Sequence, residues 1–573
     1  MTQNWLTIVI LLLSFHNTLV SAQTPGRFNV LITEIFADPT PSVGMPQNEF
    51  IEVKNVSSAP IDLKDWKFGS GNSLSTITSG FLLQPDSMAI ICANSAVSNF
   101  TSFGKTIGVS NFPSLDNDAD LIFLRSKEGV TIHAVSYNKS WYKNELKSNG
   151  GWSLEMIDTK NPCGGITNWS ASIEVTGGTP GKKNSIEAKN EDLLAPVLLR
   201  TYAIDNFTIV TVFDEPVDSL AASTRTKYIL DQDNANPLLA VPFGPIFTEV
   251  ILKFSHALND RTIYRLTVSD IIDCNGNRIN MQTIKTGLPS MADESDIIIN
   301  EILFNPKPDG YDYFELYNKS KKIIDLQYLY SANKNATGSL SNVTKLSDIS
   351  YLIFPEQFIV FTSNKRWLRQ SYVVKEDNNV LELPSLPSLP DDNGTLVIVN
   401  MQGKTIEELQ YDSKWHFALI ENKEGISLER IDYRMPAQHK DNWTSAASTA
   451  GYGTPGYQNS QFKADIQMQG TITADVNVFS PDNDGFNDLV TISYQMTAPG
   501  FAANVTIFDA SGRPVRYLVK NSTLGLQGSF RWDGLDDNFQ RLPVGIYIVF
   551  TEIFNLRGKT KKFKNVVTLA RKF

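Results

Sequence analysis

The segment at residues 482–488 has the residue types that bind a hard cation. Its acidic side chains are spaced as Asp482-x-Asp484-Gly485-x-x-Asp488. Ca²⁺ prefers carboxylate and carbonyl oxygens, which closely spaced aspartates supply. The segment is not an EF-hand loop, because its glycine stands at the wrong place and no distal glutamate closes it. Two interpretations stay open: a Ca²⁺ ligand set of Asp482, Asp484 and Asp488, or an Asx-rich turn before a strand.

Two pairs of glutamates have the residue types of a hydrolase acid and base. Glu34 and Glu52 form one pair, and Glu301 and Glu315 form the other. Paired carboxyl groups carry out catalysis in many glycoside hydrolases. However, no reactive partner residue recurs beside either pair. We favour the alternative that each carboxylate accepts hydrogen bonds from turn amides, and we predict no catalytic residues.

The histidines do not suggest a metal or catalytic site. His133, His256, His416 and His439 are scattered, and none has a neighbour of metal-binding or catalytic-triad type. No Gly-x-Ser-x-Gly elbow, His-Glu-x-x-His helix or phosphate-binding glycine loop occurs in the chain. We therefore predict that the chain is not an enzyme and needs no cofactor other than the Ca²⁺ considered above.

The three cysteines form neither a disulfide framework nor a metal-binding pattern. At least one of Cys92, Cys163 and Cys274 must be unpaired in a monomer. Cys92 lies in an apolar run, where a free cysteine usually acts as a small hydrophobic residue. A Cys92–Cys163 bridge is the alternative, and both interpretations stay open.

Composition indicates a globular, multidomain, β-rich chain. The chain has 573 residues, of which 20% are charged and 42% are hydrophobic. That length exceeds one ordinary core, and short runs of Val, Ile, Thr, Phe and Tyr between turn residues favour strands. The net charge of -10 argues against a general nucleic-acid binder, which needs a basic surface.

The N-terminus is typical of a secretory signal peptide. An apolar run covers residues 5–13, and small residues precede a cleavage site between Ala22 and Gln23. The run is too short to span a bilayer comfortably. The alternative is an uncleaved membrane anchor. Either interpretation predicts an exported protein.

Two segments of the chain, at about residues 28–186 and 296–461, repeat the same motifs in the same order. We call them the first repeat and the second repeat. Each contains short alternating strands and no long helical pattern, which favours a β-sandwich. Each also contains a short acidic segment, at 116–120 and 391–394, which we interpret as a loop rather than a metal site.

Tryptophans stand at equivalent places in the two repeats. Trp141 and Trp415 each follow shortly after a tyrosine. Such rings can form a sugar-binding platform, but equivalent placement in both repeats favours a core role. Trp66 is also interpreted as a core residue.

Two further segments differ from the repeats. The middle segment, about residues 193–290, contains alternating strand patterns at 250–255 and 264–269. The C-terminal segment, about residues 466–573, contains a hairpin-type sequence at 504–514 and a strand at 545–550. Its end, residues 557–573, is basic and contains no acidic residue.

The repeats resemble the lamin-tail domain, an immunoglobulin-like sandwich that occurs in nuclear lamins and in exported bacterial proteins. The resemblance rests on Ile32-Thr33-Glu34-Ile35 and Ile299-Asn300-Glu301-Ile302, on Glu52-Val53-Lys54-Asn55 and Glu315-Leu316-Tyr317-Asn318, on Asp62-Leu63 and Asp325-Leu326, and on Asn-Trp followed by Gly-Thr-Pro-Gly at 178–181 and 453–456. The middle segment is similar to bacterial Ig-like domains through residues 213–217 and 271–277.

The C-terminal segment is similar to FlgD-like Ig domains and to the C-terminal sorting domains of type IX secretion in Bacteroidota. The similarity rests on residues 479–488, 532–534 and 542–547. The sorting interpretation implies that the protein ends outside the outer membrane and that the basic end belongs to the signal. The alternative is a purely structural Ig-like unit.

These resemblances imply an all-β chain of four Ig-like β-sandwich domains in series after a signal peptide. The expected boundaries are 1–22 for the signal peptide, 23–188 for the first lamin-tail domain, 189–291 for the Ig-like domain, 292–465 for the second lamin-tail domain and 466–573 for the C-terminal domain.

We expect a non-enzymatic exported surface protein that acts in adhesion, in ligand binding or as a structural spacer. One alternative is a non-catalytic accessory part of an extracellular hydrolase system. Another is a binder of nucleic acid or of phosphate-rich surfaces through the lamin-tail domains. The expected partners are an unknown extracellular protein or glycan, and the secretion machinery if the C-terminal domain is a sorting signal. The expected location is secreted or at the outer cell surface.

Overall fold

The computed structural model describes residues 25–335, 337–462, 470–556 and 560–571. The predicted cleavage site at Ala22 and Gln23 lies outside these residues. Contacts divide the chain into two compact units. The first contains residues up to 200, 210–255 and 266–284, and the second contains 201–209, 256–265 and the chain from 285 onward. Nearly all regular structure is β-strand, so the all-β prediction is confirmed.

The first repeat contains two main sheets. Its strands and its short helix are β1 Val30–Phe36, β2 Phe50–Asn55, β3 Ile61–Asp62, β4 Lys67–Ser70, β5 Ser73–Thr76, β6 Leu82–Leu83, β7 Met88–Ala93, α1 Val97–Phe100, β8 Thr106–Val109, β9 Ala119–Arg125, β10 Thr131–Asn138, β11 Leu154–Met156 and β12 Trp169–Ala171. The sheet orders are β12-β11-β1-β2-β7-β8 and β10-β9-β4-β5, with β3 and β6 paired separately. Apolar residues from these strands form a main core and a second, smaller cluster around Phe36, Phe50 and Phe100.

The middle segment contains a sheet of four strands and a sheet of three. Its elements are β13 Leu198–Asp205, β14 Thr208–Phe213, α2 Ser219–Ala222, β15 Tyr228–Leu230, β16 Leu239–Phe243, β17 Glu249–Lys253, β18 Tyr264–Ser269 and β19 Met281–Thr286. The sheet orders are β13-β14-β17-β16 and β15-β18-β19. The alternation predicted for residues 250–255 and 264–269 is confirmed, since Val250, Leu252, Leu266 and Val268 are buried.

The second repeat has the same topology as the first. Its elements are β20 Ile297–Leu303, β21 Tyr313–Asn318, β22 Ile324–Asp325, β23 Leu329–Lys334, β24 Leu340–Lys345, β25 Leu352–Ile353, β26 Phe358–Thr362, α3 Lys365–Ser371, β27 Val380–Glu382, β28 Asn393–Asn400, β29 Thr405–Asp412, β30 Leu428–Arg430 and β31 Trp443–Ser445. The sheet orders are β31-β30-β20-β21-β26-β27 and β29-β28-β23-β24, with β22 paired to β25. Strand for strand, these orders match those of the first repeat.

The C-terminal segment is a separate sandwich. Its strands are β32 Thr471–Ala474, β33 Val478–Phe479, β34 Val490–Gln495, β35 Phe501–Asp509, β36 Pro514–Leu524, β37 Gln527–Trp532, β38 Gly545–Asn555 and β39 Thr560–Leu569. The sheet orders are β32-β34-β37 and β33-β39-β38-β35-β36, and Trp532 is buried between them against Phe479 and Tyr547. Most of the basic end of the chain is therefore β39, a strand inside a sheet.

Short 3-10 turns connect the strands. They lie at Asn94–Ala96, Lys139–Tyr142, Lys147–Asn149, Gly165–Asn168, Arg225–Lys227, Gln232–Asn234, Leu326–Tyr328, Asp377–Asn379, Ser413–Trp415, Lys440–Asn442 and Ser448–Ala450. Trp141 and Trp415 lie in two of these turns. Their rings pack 6.3 Å from Trp169 and 6.5 Å from Trp443, respectively, which supports the predicted core role. Trp66 is buried, as predicted.

The disulfide is not the one considered from the sequence. Cys163 is bonded to Cys274, with their Cα atoms 6.3 Å apart, so the Cys92–Cys163 alternative is wrong. Cys163 lies in a loop after β11, where it meets a loop of the middle segment. Cys92 is free and buried on β7 among Phe36, Phe50 and Phe100. Burial raises the pKa of its thiol to about 11, which makes it the inert hydrophobic residue of the other interpretation.

Candidate functional site

A bulge in β1 places three glutamates side by side in the first repeat. The pairing of β1 with β2 shifts between Ile32 and Glu34, so Thr33 is the extra residue. As a result, Glu34 lies opposite Glu52 on one side and opposite Glu155 of β11 on the other. All three side chains are fully buried. We call them the first carboxyl cluster.

The Gly-Thr-Pro-Gly segment at 178–181 covers this cluster, and we call it and its equivalent at 453–456 the closing segments. The amide of Thr179 donates to Glu34 Oε1 at 2.8 Å, and its hydroxyl donates to Glu155 Oε1 at 2.8 Å. The amide of Gly181 donates to Glu52 Oε2 at 2.7 Å. One short segment thus bonds all three carboxyl groups, and the prediction that these glutamates accept bonds from turn amides is confirmed.

Hydroxyl groups complete the first carboxyl cluster. Ser153 donates to Glu34 at 2.6 Å, Thr33 to Glu52 at 2.8 Å and Ser185 to Glu155 at 2.8 Å. These donors come from β1 and from the segments before β11 and after β12, so the cluster ties the end of the repeat to its first strand.

The second repeat builds the same arrangement from Glu301, Glu315 and Glu429, which we call the second carboxyl cluster. β20 carries the equivalent bulge, with Asn300 as the extra residue. Glu301 lies opposite Glu315 and Glu429. All three side chains are fully buried.

The segment at 453–456 closes the second carboxyl cluster. The Thr454 amide donates to Glu301 at 2.9 Å, and the Gly456 amide donates to Glu315 at 2.6 Å. The Thr454 hydroxyl lies 2.9 Å from both Glu301 Oε2 and Glu429 Oε1. Further donors surround the cluster: Tyr313 and Ser427 to Glu301, Asn300 to Glu315, and Ser460 and Gln461 to Glu429.

Burial disfavours the ionised form of these carboxyl groups. Desolvation raises the pKa of Glu52 to about 7 and that of Glu429 to about 8. It also raises the pKa of Glu34 and Glu315 well above the usual value, and neighbouring carboxyl groups add to the rise. These four carboxyl groups therefore hold protons near neutral pH. The chain's own donors bond every oxygen of the two clusters except Glu34 Oε2. Each cluster thus attaches the closing segment of its repeat to the six-stranded sheet.

Sequence reasoning missed one member of each cluster. Glu155 and Glu429 each end a Ser-Leu-Glu sequence that occurs in both repeats, at 153–155 and 427–429. The signal was present, because a charged residue that recurs in a buried strand motif needs a buried partner. Pairing of β11 with β1, and of β30 with β20, is a long-range contact that the motif alone does not reveal.

The loop at 482–488 brings its predicted residues together. One oxygen from each of Asp482, Asp484 and Asp488 lies within 4.8 Å of the others. Asp488 accepts from the amides of Asn483 at 2.7 Å and Gly485 at 2.8 Å. The loop is thus an Asx-rich turn, and its geometry also offers three carboxylate oxygens to a hard cation.

A second acidic group lies where the first repeat meets the middle segment. Asp192, Glu215 and Asp273 also bring oxygens within 4.8 Å of one another. The buried Asp273 accepts from the amides of Asn275 at 2.8 Å and Asn277 at 2.9 Å. Burial, together with the charges of Asp192 and Asp273, raises the pKa of Glu215 to about 8.

The other sequence candidates are structural. In the 116–120 segment, Asp116 accepts from the amide of Asp118 at 2.9 Å and Asp120 accepts from Ser70. His133 is buried and accepts from the Ile32 amide at 2.9 Å, and desolvation lowers its pKa to about 4. The buried His416 bonds Ser445 at 2.8 Å.

Comparison with known families identifies two parts of the chain. Residues 23–139 match the family model of the Lamin Tail Domain. The first repeat carries a lamin tail domain. Strands β11 and β12 lie beyond the match, yet they complete the six-stranded sheet, and residues 178–181 are hydrogen-bonded to its glutamates. The family match agrees with the lamin-tail resemblance of the first repeat.

Residues 473–569 match the CHU_C type IX secretion signal domain. The C-terminal segment is therefore a type IX secretion signal domain, as one of the two interpretations predicted. Such a domain implies an interaction with secretion machinery and makes the chain a secreted or cell-surface protein. No helix among the described residues is long and apolar enough to cross a membrane.

No curated protein matches the chain. Among solved structures, the N-terminal part of the bacterial S-layer protein SbsC is 14% identical, with a TM-score of 0.16 over 28% of this chain. The match covers 44% of that S-layer structure, so the chain spans under half of its length.

Two adhesin structures match over most of the chain. The tetra-tandem repeat of a large adhesion protein is 11% identical over 94% of this chain and 98% of its own, with a TM-score of 0.12. A Ca²⁺-stabilized adhesin of an Antarctic bacterium that binds ice is 9% identical over 96% and 100%, with a TM-score of 0.12. Because these TM-scores are low, the similarities assign no role to the chain.

Proposed function

We propose that the protein is a non-enzymatic surface protein, exported through type IX secretion, whose β-sandwich modules act in adhesion, in ligand binding or as a spacer. The match of residues 473–569 to the type IX secretion signal domain carries the proposal. The carboxyl clusters support it, since their oxygens are bonded within the fold rather than directed at a substrate.

Localisation of truncated protein tests the export step. We expect the full chain at the cell surface or in the medium, and a version lacking residues 473–569 inside the outer membrane. A full chain with Cys92→Ser is the control for handling and expression, because Cys92 is buried and unpaired. Equal surface amounts of the full and truncated chains would contradict the proposal.

Residues 292–465 are proposed as a second lamin-tail domain, with 189–291 as an Ig-like domain between the two. Identical strand orders and equivalent carboxyl clusters in the two repeats support this layout. Limited proteolysis of the native full chain, followed by mass spectrometry, tests it. We expect early cuts near the proposed boundaries at residues 188–189 and 291–292. Early cuts inside β20–β31 would contradict a single second domain.

The loop at 482–488 is proposed as a Ca²⁺ site, because its three aspartates bring oxygens within 4.8 Å. Isothermal titration of the full chain with CaCl₂ tests this proposal. We expect heat of binding that Asp488→Asn removes and that Asp231→Asn, at an exposed position of the middle segment, leaves unchanged. Equal heats for the two variants would show that the loop is only a turn.

A non-enzymatic role is also open to test. Incubation of the purified full chain with DNA, glycans and esters is expected to give no turnover, and no salt-sensitive DNA binding at neutral pH. Turnover that a point substitution abolishes would favour a hydrolase function. Salt-sensitive DNA binding would favour the nucleic-acid alternative.

A further inference from the structure

The disulfide joins two modules rather than two strands of one. Cys163 belongs to the first repeat, in the loop between β11 and β12. Cys274 belongs to the middle segment, in the turn between β18 and β19. The two residues are 111 positions apart in the sequence, and both lie in the first compact unit. The bond therefore closes a covalent ring that contains the chain between the modules.

The disulfide lies on a packed joint. Arg27 of the first repeat places its guanidinium 4.6 Å from the Phe28 ring and 4.3 Å from the Phe247 ring. It also donates to the carbonyl oxygens of Val217 at 3.1 Å and Ile246 at 3.4 Å. Because Phe247, Val217 and Ile246 belong to the middle segment, the two modules are in contact at this arginine as well.

Amide side chains add a third contact beside the disulfide. Asn275 donates to Asn161 at 3.0 Å, and Asn277 donates to the carbonyl oxygen of Asp192 at 3.1 Å. Asn161 in turn donates to the carbonyl oxygen of Asn190 at 3.1 Å. The loop that carries Cys274 is thus hydrogen-bonded to the loop that carries Cys163 and to the connecting segment.

The ring changes the path that tension takes through the chain. A pull on the two chain ends reaches Cys163, crosses the disulfide and continues from Cys274. Residues 164–273 lie on a closed side path that carries no tension while the bond is intact. That path contains β12, the closing segment 178–181 and strands β13–β18.

The second repeat has no such protection. It contains no cysteine, and Thr362 stands where the first repeat has Cys92. Its closing segment at 453–456 remains in line between the repeat and the secretion signal domain. Two nearly identical closing segments therefore differ in whether a pull on the chain reaches them.

We propose that the Cys163–Cys274 bond is a tension bypass, which keeps the closing segment of the first repeat and most of the middle segment from unfolding when the protein is stretched. This goes beyond the proposed surface role, since it states which modules stay folded under force. It requires only an intact disulfide between the two modules.

Single-molecule force spectroscopy of the full chain, held at its two ends, tests the proposal. Residues 164–273 number about 110, and a fully extended chain gains about 3.3–3.6 Å per residue. The end-to-end length after complete unfolding should therefore be about 380 Å shorter for the intact protein than for the Cys163→Ser/Cys274→Ser variant. The variant should also show an added unfolding event for the middle segment.

Reductant provides the same comparison without a substitution, in case the double variant fails to fold. Adding a phosphine reductant to the native protein should lengthen complete extension by the same amount. The unfolding event of the second repeat should be unchanged, and Cys92→Ser should behave as the native protein. Equal extension with and without reductant, or a middle-segment event already present in the intact protein, would overturn the proposal.

Discussion

At the scale of single residues, the most consequential feature is the concentration of six glutamates in two buried clusters. A buried charge is tolerated only if it is neutralised or bonded, and these clusters use both solutions. Burial and then neighbouring carboxyl groups raise the pKa values of Glu34 and Glu315, while Thr179 and Thr454 supply donors from the end of each repeat. Leaving such a buried group without its hydrogen bond costs about 1–3 kcal/mol, so each cluster is a substantial part of its repeat's stability.

Thr454→Val removes the hydroxyl that lies between Glu301 and Glu429 while keeping the side-chain shape. Because this leaves a buried carboxyl oxygen without a donor, we expect the second repeat to lose about 1–3 kcal/mol of unfolding free energy. Native-state hydrogen exchange of the β20 amides measures the loss. Thr344→Val, at a half-buried position of β24, is the control and should change the value by under about 0.5 kcal/mol. Equal effects would show that the hydroxyl contributes nothing.

The second carboxyl cluster should lose stability in alkaline solution. The pKa of Glu429 is about 8 in the fold and lower in the unfolded chain, so folding binds a proton. The stabilisation is fully present below the unfolded-state pKa and is lost as pH rises through about 8. We expect faster β20 hydrogen exchange, corrected for its intrinsic pH dependence, between about pH 6 and pH 9. Glu429→Gln should flatten this dependence and exposed Glu376→Gln should not; an unchanged slope in Glu429→Gln would contradict the assignment.

At the scale of strands, the bulges in β1 and β20 show what the sequence could predict and what it could not. Alternating apolar residues predicted the strands, and repeated motifs predicted that Glu34 and Glu301 are structural. The shift of register at Thr33 and Asn300 was not predictable, because a one-residue insertion leaves no mark in the apolar pattern. The disulfide partner was equally hidden, since sequence spacing does not report which loops of two modules meet.

The two repeats also differ at a pair of buried positions, one on β29 and one on β30. Arg430 forms an ion pair with Glu407 at 2.6 Å, where the first repeat has Met156 and His133. Arg430→Met leaves a buried carboxylate unpaired, so we expect the second repeat to lose about 3–5 kcal/mol of unfolding free energy.

Adding Glu407→His to that variant restores the residue pair of the first repeat. We expect the double variant to regain about 0.5–3 kcal/mol relative to Arg430→Met alone. Denaturant unfolding followed by hydrogen exchange of β30 measures both variants. Strictly additive losses would show that the two side chains are independent.

At the scale of the whole molecule, the chain repeats one topology and varies its connections. The repeated motifs and the strands of the middle and C-terminal segments were visible in the sequence, because motifs and turn residues are local signals. The joint around Arg27 and Cys274 was not visible, because it depends on long-range contacts. Arg27 bonds residues at least 190 positions away, and the two cysteines are 111 positions apart. Export and modular architecture are thus readable from sequence, whereas the stiffness of a joint is not.

That joint should weaken in alkaline solution. Burial and neighbouring charges hold the pKa of Glu215 at about 8, above its unfolded value, so its stabilising effect is lost as pH rises through about 8. We expect faster hydrogen exchange in residues 271–279 of the reduced protein above that pH. Glu215→Gln should abolish the change, and Asp231→Asn should preserve it. No dependence on pH in the reduced protein without substitutions would contradict the assignment.

The closing segments also set an order in time. Glu34 meets the Thr179 amide 145 positions later, and Glu52 meets Gly181 129 positions later. The first carboxyl cluster therefore forms only when the chain closes a loop of more than a hundred residues, which costs conformational entropy. Before that loop closes, Glu34 and Glu52 lack their donors from residues 178–181, and burying a carboxyl group without a hydrogen bond is unfavourable. Each repeat therefore completes its fold only when its final residues reach the glutamates of its first strands.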